Sequence, residues 1–129
     1  MQIKVTTIYV NDQEKALAFY TNVLGMAKKA DFGNADYRWL TVTFADDANG
    51  VELQLAADSN PVGKAYQQGL YTQGQPAVMF FTADIKAEHA RIGGKGGKFK
   101  MDPTDVTGST IAQIEDGVGN MIQITQLKW

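Results

Sequence analysis

Cysteine and histidine, which carry much of the nucleophilic, acid–base and metal chemistry of proteins, are nearly absent from this chain. The 129 residues include no cysteine and a single histidine, His89. The missing cysteines exclude disulfides, thiolate metal sites and cysteine nucleophiles. A Ser-His-Asp triad, or any other site that needs imidazole, would have to use His89. Because Ile85, His89 and Ile92 are spaced as i, i+4 and i+7, the pattern favours a partly buried helix histidine without chemistry.

Two polar residues on strand-like segments are the strongest candidates for a site. In "VELQL", Glu52 projects from the face opposite the leucines, and in "NMIQIT", Gln123 projects from the face opposite the isoleucines. A carboxylate can act as a general base or attract a cation, whereas an amide supplies hydrogen bonds only. Glu52 is therefore the candidate catalytic residue, and Gln123 is a candidate ligand contact.

The elements that must position these residues occur twice. "VTTIYVNDQEKALAFYTNVLGM" begins at Val5 and "AVMFFTADIKAEHARIGGKGGK" begins at Ala77. The shift of 72 residues between these starts places Asp12 on Asp84. Each half thus opens with a strand, followed by an aspartate helix cap, a short helix and glycine.

Strand segments follow each helix, so the predicted order is βαβββ, twice. We expect module 1 at about residues 1–57, a connection at about 58–76 and module 2 at about 77–129. The predicted strands after the first helix are "AKKADF", "YRWLTVTFA" and "VELQLAA", and those after the second are "KFKM", "STIAQIED" and "MIQITQL".

With this doubled order, the chain resembles the vicinal oxygen chelate superfamily, which contains glyoxalases, extradiol dioxygenases and antibiotic-binding resistance proteins of the bleomycin type. The motifs that carry the resemblance are "YVNDQEKALAFYTNVLGM" in the first half and "EDGVGNMIQI" at the end. Members typically combine strand, aspartate, helix, "FY" and "LG", and they close with a "DPDGN"-like turn before the last strand. The resemblance spans nearly the whole chain as one domain, residues 1–129.

The resemblance implies an α+β fold in which tandem βαβββ modules form curved mixed sheets around a shared cavity, with the helices on the convex side. Strand alternation agrees, since aliphatic faces suit a core under the helices and mixed polar and aromatic faces suit a lined pocket. The candidate ligand-binding residues are Thr7, Tyr9, Trp39, Thr41, Glu52, Met79, Phe81, Met121 and Gln123.

The resemblance also raises the question of a metal. Metal-dependent relatives place one ligand on the first strand and one on the last strand of each module, usually histidine on the first and glutamate or histidine on the last. Carried over by position, these sites are Val5, Glu52, Ala77 and Gln123, with Gln123 as the counterpart of Glu52. Only Glu52 is a good ligand, and a catalytic transition-metal site needs about three. We therefore expect no metal and no other cofactor.

These residues leave several functions open. The favoured one is a metal-independent protein that binds a small organic molecule in an aromatic-lined pocket. The alternative is a metal-independent isomerase or lyase with Glu52 as general base, and a glyoxalase- or dioxygenase-type metalloenzyme is less favoured. A purely structural or partner-binding domain is the remaining alternative.

The composition of the chain indicates which classes of partner to expect. The hydrophobic share of 44% and the charged share of 20% are ordinary for a globular protein. The net charge of -2 indicates neither a nucleic-acid nor a membrane surface. The N-terminal "MQIKVTTIYV" is typical of a strand rather than of a signal peptide, so we expect a cytoplasmic protein. The resemblance implies a homodimer whose pockets lie within one chain or between two.

Overall fold

The computed structural model describes residues 1–128 and contains two βαβββ modules, which confirms the predicted α+β fold. Residue 129, the last of the predicted second module, lies outside the described residues. Each module builds one four-stranded sheet in which the first strand pairs in parallel with the last. The helix of each module carries the chain from the first strand, at one edge of the sheet, to the second strand at the other edge, and the following strands return to pair the last strand with the first.

The strands have the following bounds. In module 1, the sheet order is β1-β4-β3-β2, and the strands are β1 (Val5–Val10), β2 (Met26–Gly33), β3 (Arg38–Phe44) and β4 (Glu52–Ala57). In module 2, the sheet order is β5-β8-β7-β6, and the strands are β5 (Pro76–Phe81), β6 (Phe99–Val106), β7 (Ser109–Glu115) and β8 (Met121–Leu127).

The module helices begin at the predicted aspartates. α1 (Gln13–Ala18) is capped by Asp12, whose carboxylate accepts a hydrogen bond from the Lys15 backbone N–H at 3.0 Å. A π-helical turn, Phe19–Val23, continues α1 before the chain leaves at Gly25 with a positive φ of 85°. α3 (Ile85–Gly94) is capped in the same way by Asp84. After α3, the glycine with a positive φ is Gly96.

The connection between the modules contains a helix that the sequence pattern did not reveal. α2 (Pro61–Thr72) occupies most of the predicted connection at 58–76. The side chain of Asn60 caps it by accepting from the Val62 N–H at 2.9 Å, and Pro61 occupies its first turn. No helix among residues 1–128 is long and apolar enough to cross a membrane.

One hydrophobic core serves both modules. Its fully buried members come from both sheets and from α1 and α3, and they include Val10, Ala16, Leu40, Leu55, Ile92, Ile114 and Ile122. The leucines of "VELQL" and the isoleucines of "NMIQIT" all face this core, as their alternation predicted. Phe44 alternates along β3 with the buried residues Leu40 and Val42. It does not join the core, because it lies at the end of the strand and is 37% exposed.

Candidate functional site

Each sheet has one face on the core and a second face, called here the open face, that alternation directs away from it. The structure brings the candidate residues together in two groups, one for each open face. The open face of module 1 carries Thr7, Tyr9, Trp39, Thr41 and Glu52. The open face of module 2 carries Met79, Phe81, Met121 and Gln123.

On the open face of module 1, the candidate carboxylate is held by a hydroxyl. The Oγ1 of Thr41 donates to the Oε1 of Glu52 at 2.7 Å, across the neighbouring strands β3 and β4. Glu52 is half-buried, and Thr41 is fully buried beneath its neighbours. One oxygen of Glu52 is thus oriented by the sheet, while the half-buried side chain can still receive a ligand.

Next to Glu52 lies a second polar group that the sequence analysis left out of the candidate site. Thr7 donates from Oγ1 to the Oε1 of Gln54 at 2.7 Å, and the Nε2 of Gln54 donates to the Tyr37 hydroxyl at 3.4 Å. Gln54 and Tyr37 therefore belong to this open face. The alternation of "VELQL" places Gln54 beside Glu52, so the signal that could have found it was present.

On the open face of module 2, the amide of Gln123 joins three strands. Its Oε1 accepts from the Nε2 of Gln113 on β7 at 3.3 Å. Its Nε2 donates to the Oγ1 of Thr125 at 3.2 Å and points to the sulfur of Met79 on β5 at 3.9 Å. An amide can accept and donate at once, whereas an ionised carboxylate could only accept.

The register of the strands corrects the expected equivalence of Gln123 with Glu52. Thr7 pairs with Gln54, and its repeat partner Met79 pairs with Gln123. Gln54 is therefore the counterpart of Gln123. Val5 pairs with Glu52, and the corresponding β8 position is Met121, opposite Pro76. The prediction failed because the β3–β4 turn is longer than the β7–β8 turn, so that a single shift does not fit both.

Ala77 also does not take the place in its sheet that Val5 takes in the sheet of module 1. The pairing of β5 with β8 is interrupted between Pro76 and Val78, and Ala77 is the extra residue of this β-bulge. It packs against the hydrophobic core rather than lining the open face with Met79. A bulge shifts every preceding residue of the strand to the other face, which simple alternation cannot predict.

The ligand positions do not fit a transition-metal ion. The positions that the resemblance implies are Val5, Glu52, Ala77 and Gln123, and only Glu52 offers a charged donor. Two hydrocarbon side chains and one neutral amide cannot complete the about three N, O or S ligands of a catalytic site. Among residues 1–128, no three histidine, cysteine, aspartate or glutamate side chains come together.

The candidate residues differ in how much of each residue is exposed to solvent. Met79 is 52% exposed and Phe81 is 61% exposed, whereas Trp39, Met121 and Gln123 are half-buried. Tyr9 packs against α2, because a Cβ on Gly63 would stand only 2.6 Å from its ring. Tyr9 therefore positions α2 as well as bordering the open face of module 1.

A cavity of about 650 Å³ lies between the modules, and its lining includes Leu24, Phe44, Phe80, Phe81, Arg91 and Ile92. It is called the inter-module cavity below. Within the described part of the chain, Phe81 alone of the candidate residues lines it. The hydrogen bonds of each open face join residues of the same module.

Comparison with known proteins places this geometry in a family. A family model described as the Glyoxalase/Bleomycin resistance protein/Dioxygenase superfamily matches residues 2–124. The protein YurT of Bacillus subtilis (strain 168) is 44% identical, over 98% of this chain and 99% of its own. A probable lactoylglutathione lyase of Vibrio cholerae is 28% identical, over 95% of this chain and 88% of its own.

Among solved structures, the crystal structure of TnmS3, an antibiotic binding protein from Streptomyces sp. CB03234, has a TM-score of 0.79. It is 25% identical in sequence, and the match covers 99% of this chain and 97% of that one. From the doubled βαβββ fold and the family match together, the chain belongs to the glyoxalase/bleomycin resistance protein/dioxygenase superfamily.

Proposed function

We propose that this protein binds a small organic molecule at its open faces without a metal ion. The observation that carries the proposal is the pair of amides, Gln54 and Gln123, at equivalent places on the two open faces. Amides and hydroxyls that are already oriented by neighbours can bind a neutral polar group. The similarity to TnmS3, an antibiotic binding protein, supports a binding role.

The side chains around these amides favour a flat molecule with positive charge. Trp39 is half-buried on β3, and Tyr37, on the same face, is 56% exposed. Aromatic rings of this kind stack on planar ligands and attract cations to their faces. Glu52 would add a negative charge beside them. We therefore propose a planar organic cation as the ligand class.

We further propose that the pocket is completed by a second chain, in a homodimer. Met79 and Phe81 expose large apolar surfaces on the open face of module 2, and such surfaces are usually covered by a ligand or a partner. Sedimentation velocity should give twice the 14.1 kDa mass of the chain. A mass that stays at one chain up to high concentration would contradict the dimer.

Binding can be tested by a thermal-shift screen of planar cationic antibiotics, neutral analogues and divalent metal ions. A ligand of the native state raises the melting temperature, and one present at 100 times its Kd adds about 2.7 kcal/mol of stability. We expect shifts with planar cations that are lost in Trp39→Leu. The exposed Tyr66→Leu on α2 is the matched control, because Tyr66 lies outside the open faces. A large shift with a metal ion alone would refute the metal-free site.

Mixing two variants tests whether the pocket is shared between chains. Trp39→Leu damages the open face of module 1, and Gln123→Leu damages that of module 2. If each pocket combines one face from each chain, a mixed dimer has one pocket with both defects and one intact pocket, so binding returns to half. If each pocket lies within one chain, every pocket keeps one defect and nothing is recovered.

Catalysis by Glu52 is the second candidate function, and the hydrogen bond from Thr41 favours it. A carboxylate oriented at 2.7 Å by a hydroxyl can receive a proton from a carbon acid, as an isomerase or lyase requires. The similarity to a probable lactoylglutathione lyase is consistent with this class. Glu52→Gln keeps the shape and removes the base, so turnover of any substrate found should fall by at least 100-fold, on the order of a general base's contribution. Undiminished turnover would rule out this role.

Location and other partners follow from composition. The absence of cysteine suits the reducing cytoplasm, where we place the protein. With a net charge of -2, we propose no nucleic-acid partner and no membrane partner.

A further inference from the structure

The repeat creates two related contacts between the modules, and the first of them is closed. The hydroxyl of Tyr20, on the π-helical turn after α1, donates to the Oδ2 of Asp116 at 2.7 Å. Asp116 also accepts from the backbone N–H groups of Val118 and Asn120 and from the Asn120 side chain. Both Tyr20 and Asp116 are buried, so this contact is filled.

The second contact lacks these groups and stays open. The shift of 72 residues that relates Val5 to Ala77 places Ile92 at the position of Tyr20. In the same way Thr41, which pairs with Gln54, corresponds to Gln113, which pairs with Gln123. Phe44 therefore stands where module 2 has Asp116. Ile92 and Phe44 cannot form a hydrogen bond, and both line the inter-module cavity.

Three phenylalanines line this cavity, Phe44, Phe80 and Phe81. Phe44 packs edge-to-face on Phe80, with ring centroids 5.6 Å apart and an interplanar angle of 89°. Phe81 and Ile92 add apolar surface. A cavity of about 650 Å³ lies within the range of small-molecule sites, which are mostly apolar with a few polar groups.

The free charges at the rim are negative. Glu88 and Arg91 also line the cavity, but they form an ion pair, and Arg91 donates from Nη2 to the Leu24 carbonyl at 3.0 Å. Asp46 and Asp47, on the turn after β3, line the same cavity. Neither aspartate has an ion-pair partner within residues 1–128.

We propose that the inter-module cavity is a second small-molecule site, for an organic cation with an aromatic body, such as an arylalkylamine. The phenylalanine side chains of the lining would pack against the ring, and Asp46 and Asp47 would bind the ammonium group. This site is separate from the one proposed on the open faces, since only Phe81 is common to both.

The probe is 2-phenylethylamine, with 2-phenylethanol as its uncharged analogue, titrated into the ¹⁵N-labelled protein. We expect the amine to shift amide signals of residues 46–48 and 80–83, and to bind about fivefold more tightly than the alcohol, as for one ion pair. In the double variant Asp46→Asn and Asp47→Asn, this preference should disappear. Asp36→Asn, on the β2–β3 turn away from the cavity, should keep it.

A second variant tests the proposed site by narrowing the inter-module cavity. Ala83 lines the cavity and is exposed, so Ala83→Phe can narrow it without disturbing the core. It should abolish the amine-induced shifts, while Trp39→Leu, which tests the open face, should leave them in place.

Several outcomes would overturn the proposal. They are equal affinity for the amine and the alcohol, shifts confined to the open faces, and no binding at millimolar concentration. Shifts of the same amides that depend on protein concentration in the absence of amine would show instead that a second copy covers the cavity.

Discussion

Asp116 is a buried carboxylate that receives a hydrogen bond from the other module. Its two oxygens accept four hydrogen bonds, from Tyr20, from the Val118 and Asn120 backbones and from the Asn120 amide. A buried carboxylate is tolerated only when it is fully hydrogen-bonded, and this set satisfies it. The closing "EDGVGN" motif therefore has a structural reason, since it ties the start of β8 to module 1.

Loss of the Tyr20 hydroxyl should destabilise the protein. Tyr20→Phe removes one donor to a buried charge, and we expect a loss of about 1.5–3 kcal/mol in the free energy of unfolding. Urea denaturation measures this loss. Tyr66→Phe is the matched control, because Tyr66 is 59% exposed and its loss should change stability by less than about 0.5 kcal/mol. Equal stabilities of the two variants would contradict the role of the Tyr20–Asp116 bond.

The same tyrosine should make the protein sensitive to alkali. Burial, and then the nearby charge of Asp116, raises the pKa of Tyr20 well above the ordinary value of 10.0. The unfolded chain releases this proton near pH 10 whereas the folded chain keeps it, so stability is complete below that pH and is lost as pH rises above it.

Urea midpoints measured from pH 8 to 11 should therefore fall less steeply in Tyr20→Phe than in the parent. Tyr71 is the comparison, because its hydrogen bond to Glu115 also raises the pKa of its hydroxyl. Tyr71 is largely exposed, so Tyr71→Phe should alter the slope less. A parent slope unchanged by Tyr20→Phe would contradict the assignment.

Among the elements, α2 is the one that packs through glycine. Gly63 lies against the Tyr9 ring, and Gln67 donates to the carbonyls of Tyr9 and Val118 at 2.8 and 3.0 Å. Gly69, in the same helix, faces open space, with nothing within 4 Å of its Cβ position. The two glycines thus offer opposite environments for the same substitution.

Alanine at these two positions should change stability in opposite directions. Gly63→Ala forces a Cβ to within 2.6 Å of the Tyr9 ring, and we expect destabilisation by about 1–3 kcal/mol. Gly69→Ala fills open space and should stabilise by about 0.5–1 kcal/mol through helix propensity. Thermal or urea unfolding of the pair measures both signs. Stabilisation by Gly63→Ala would show that α2 does not rest on Tyr9.

At the element scale, the sequence predicted the strands and helices that have a regular hydrophobic pattern, and it missed the features that have no such pattern. The strands, α1 and α3 followed from alternation and aspartate caps. α2 was missed although Asn60 and Pro61 are good start signals, because the glycines within it and after it are typical of a loop. The Ala77 bulge and the longer β3–β4 turn were missed because a repeat shift assumes equal spacing. As a result, Gln123 is matched with Glu52 instead of Gln54, and Ala77 packs against the hydrophobic core instead of lining the open face.

The whole molecule depends on both modules being present. One hydrophobic core includes residues of both sheets, and the closed contact between Tyr20 and Asp116 spans the modules. Each module alone is near the size at which a single core becomes marginal. The doubled order in the sequence predicted two similar units, but only the packing shows that they share a core.

Separated modules should therefore be unstructured and should fold when combined. A fragment of residues 1–73 loses the partners of Tyr20 and Tyr9, and a fragment of residues 75–129 loses α1 and α2. We expect poor dispersion in the NMR spectrum of each fragment and recovery of a folded spectrum on mixing. The intact chain is the reference. A well-dispersed spectrum of the first fragment alone would show that module 1 is independent.

The closed contact also has a consequence for the order of events during synthesis. The Tyr9 carbonyl and the Tyr20 hydroxyl belong to module 1, but they bind Asn120 and Asp116, which lie 111 and 96 residues later. Contacts between such distant residues form only after the intervening chain exists. Module 1 is therefore synthesised while Tyr20 still lacks its partner, and the Tyr20–Asp116 bond can form only once Asp116 has been made.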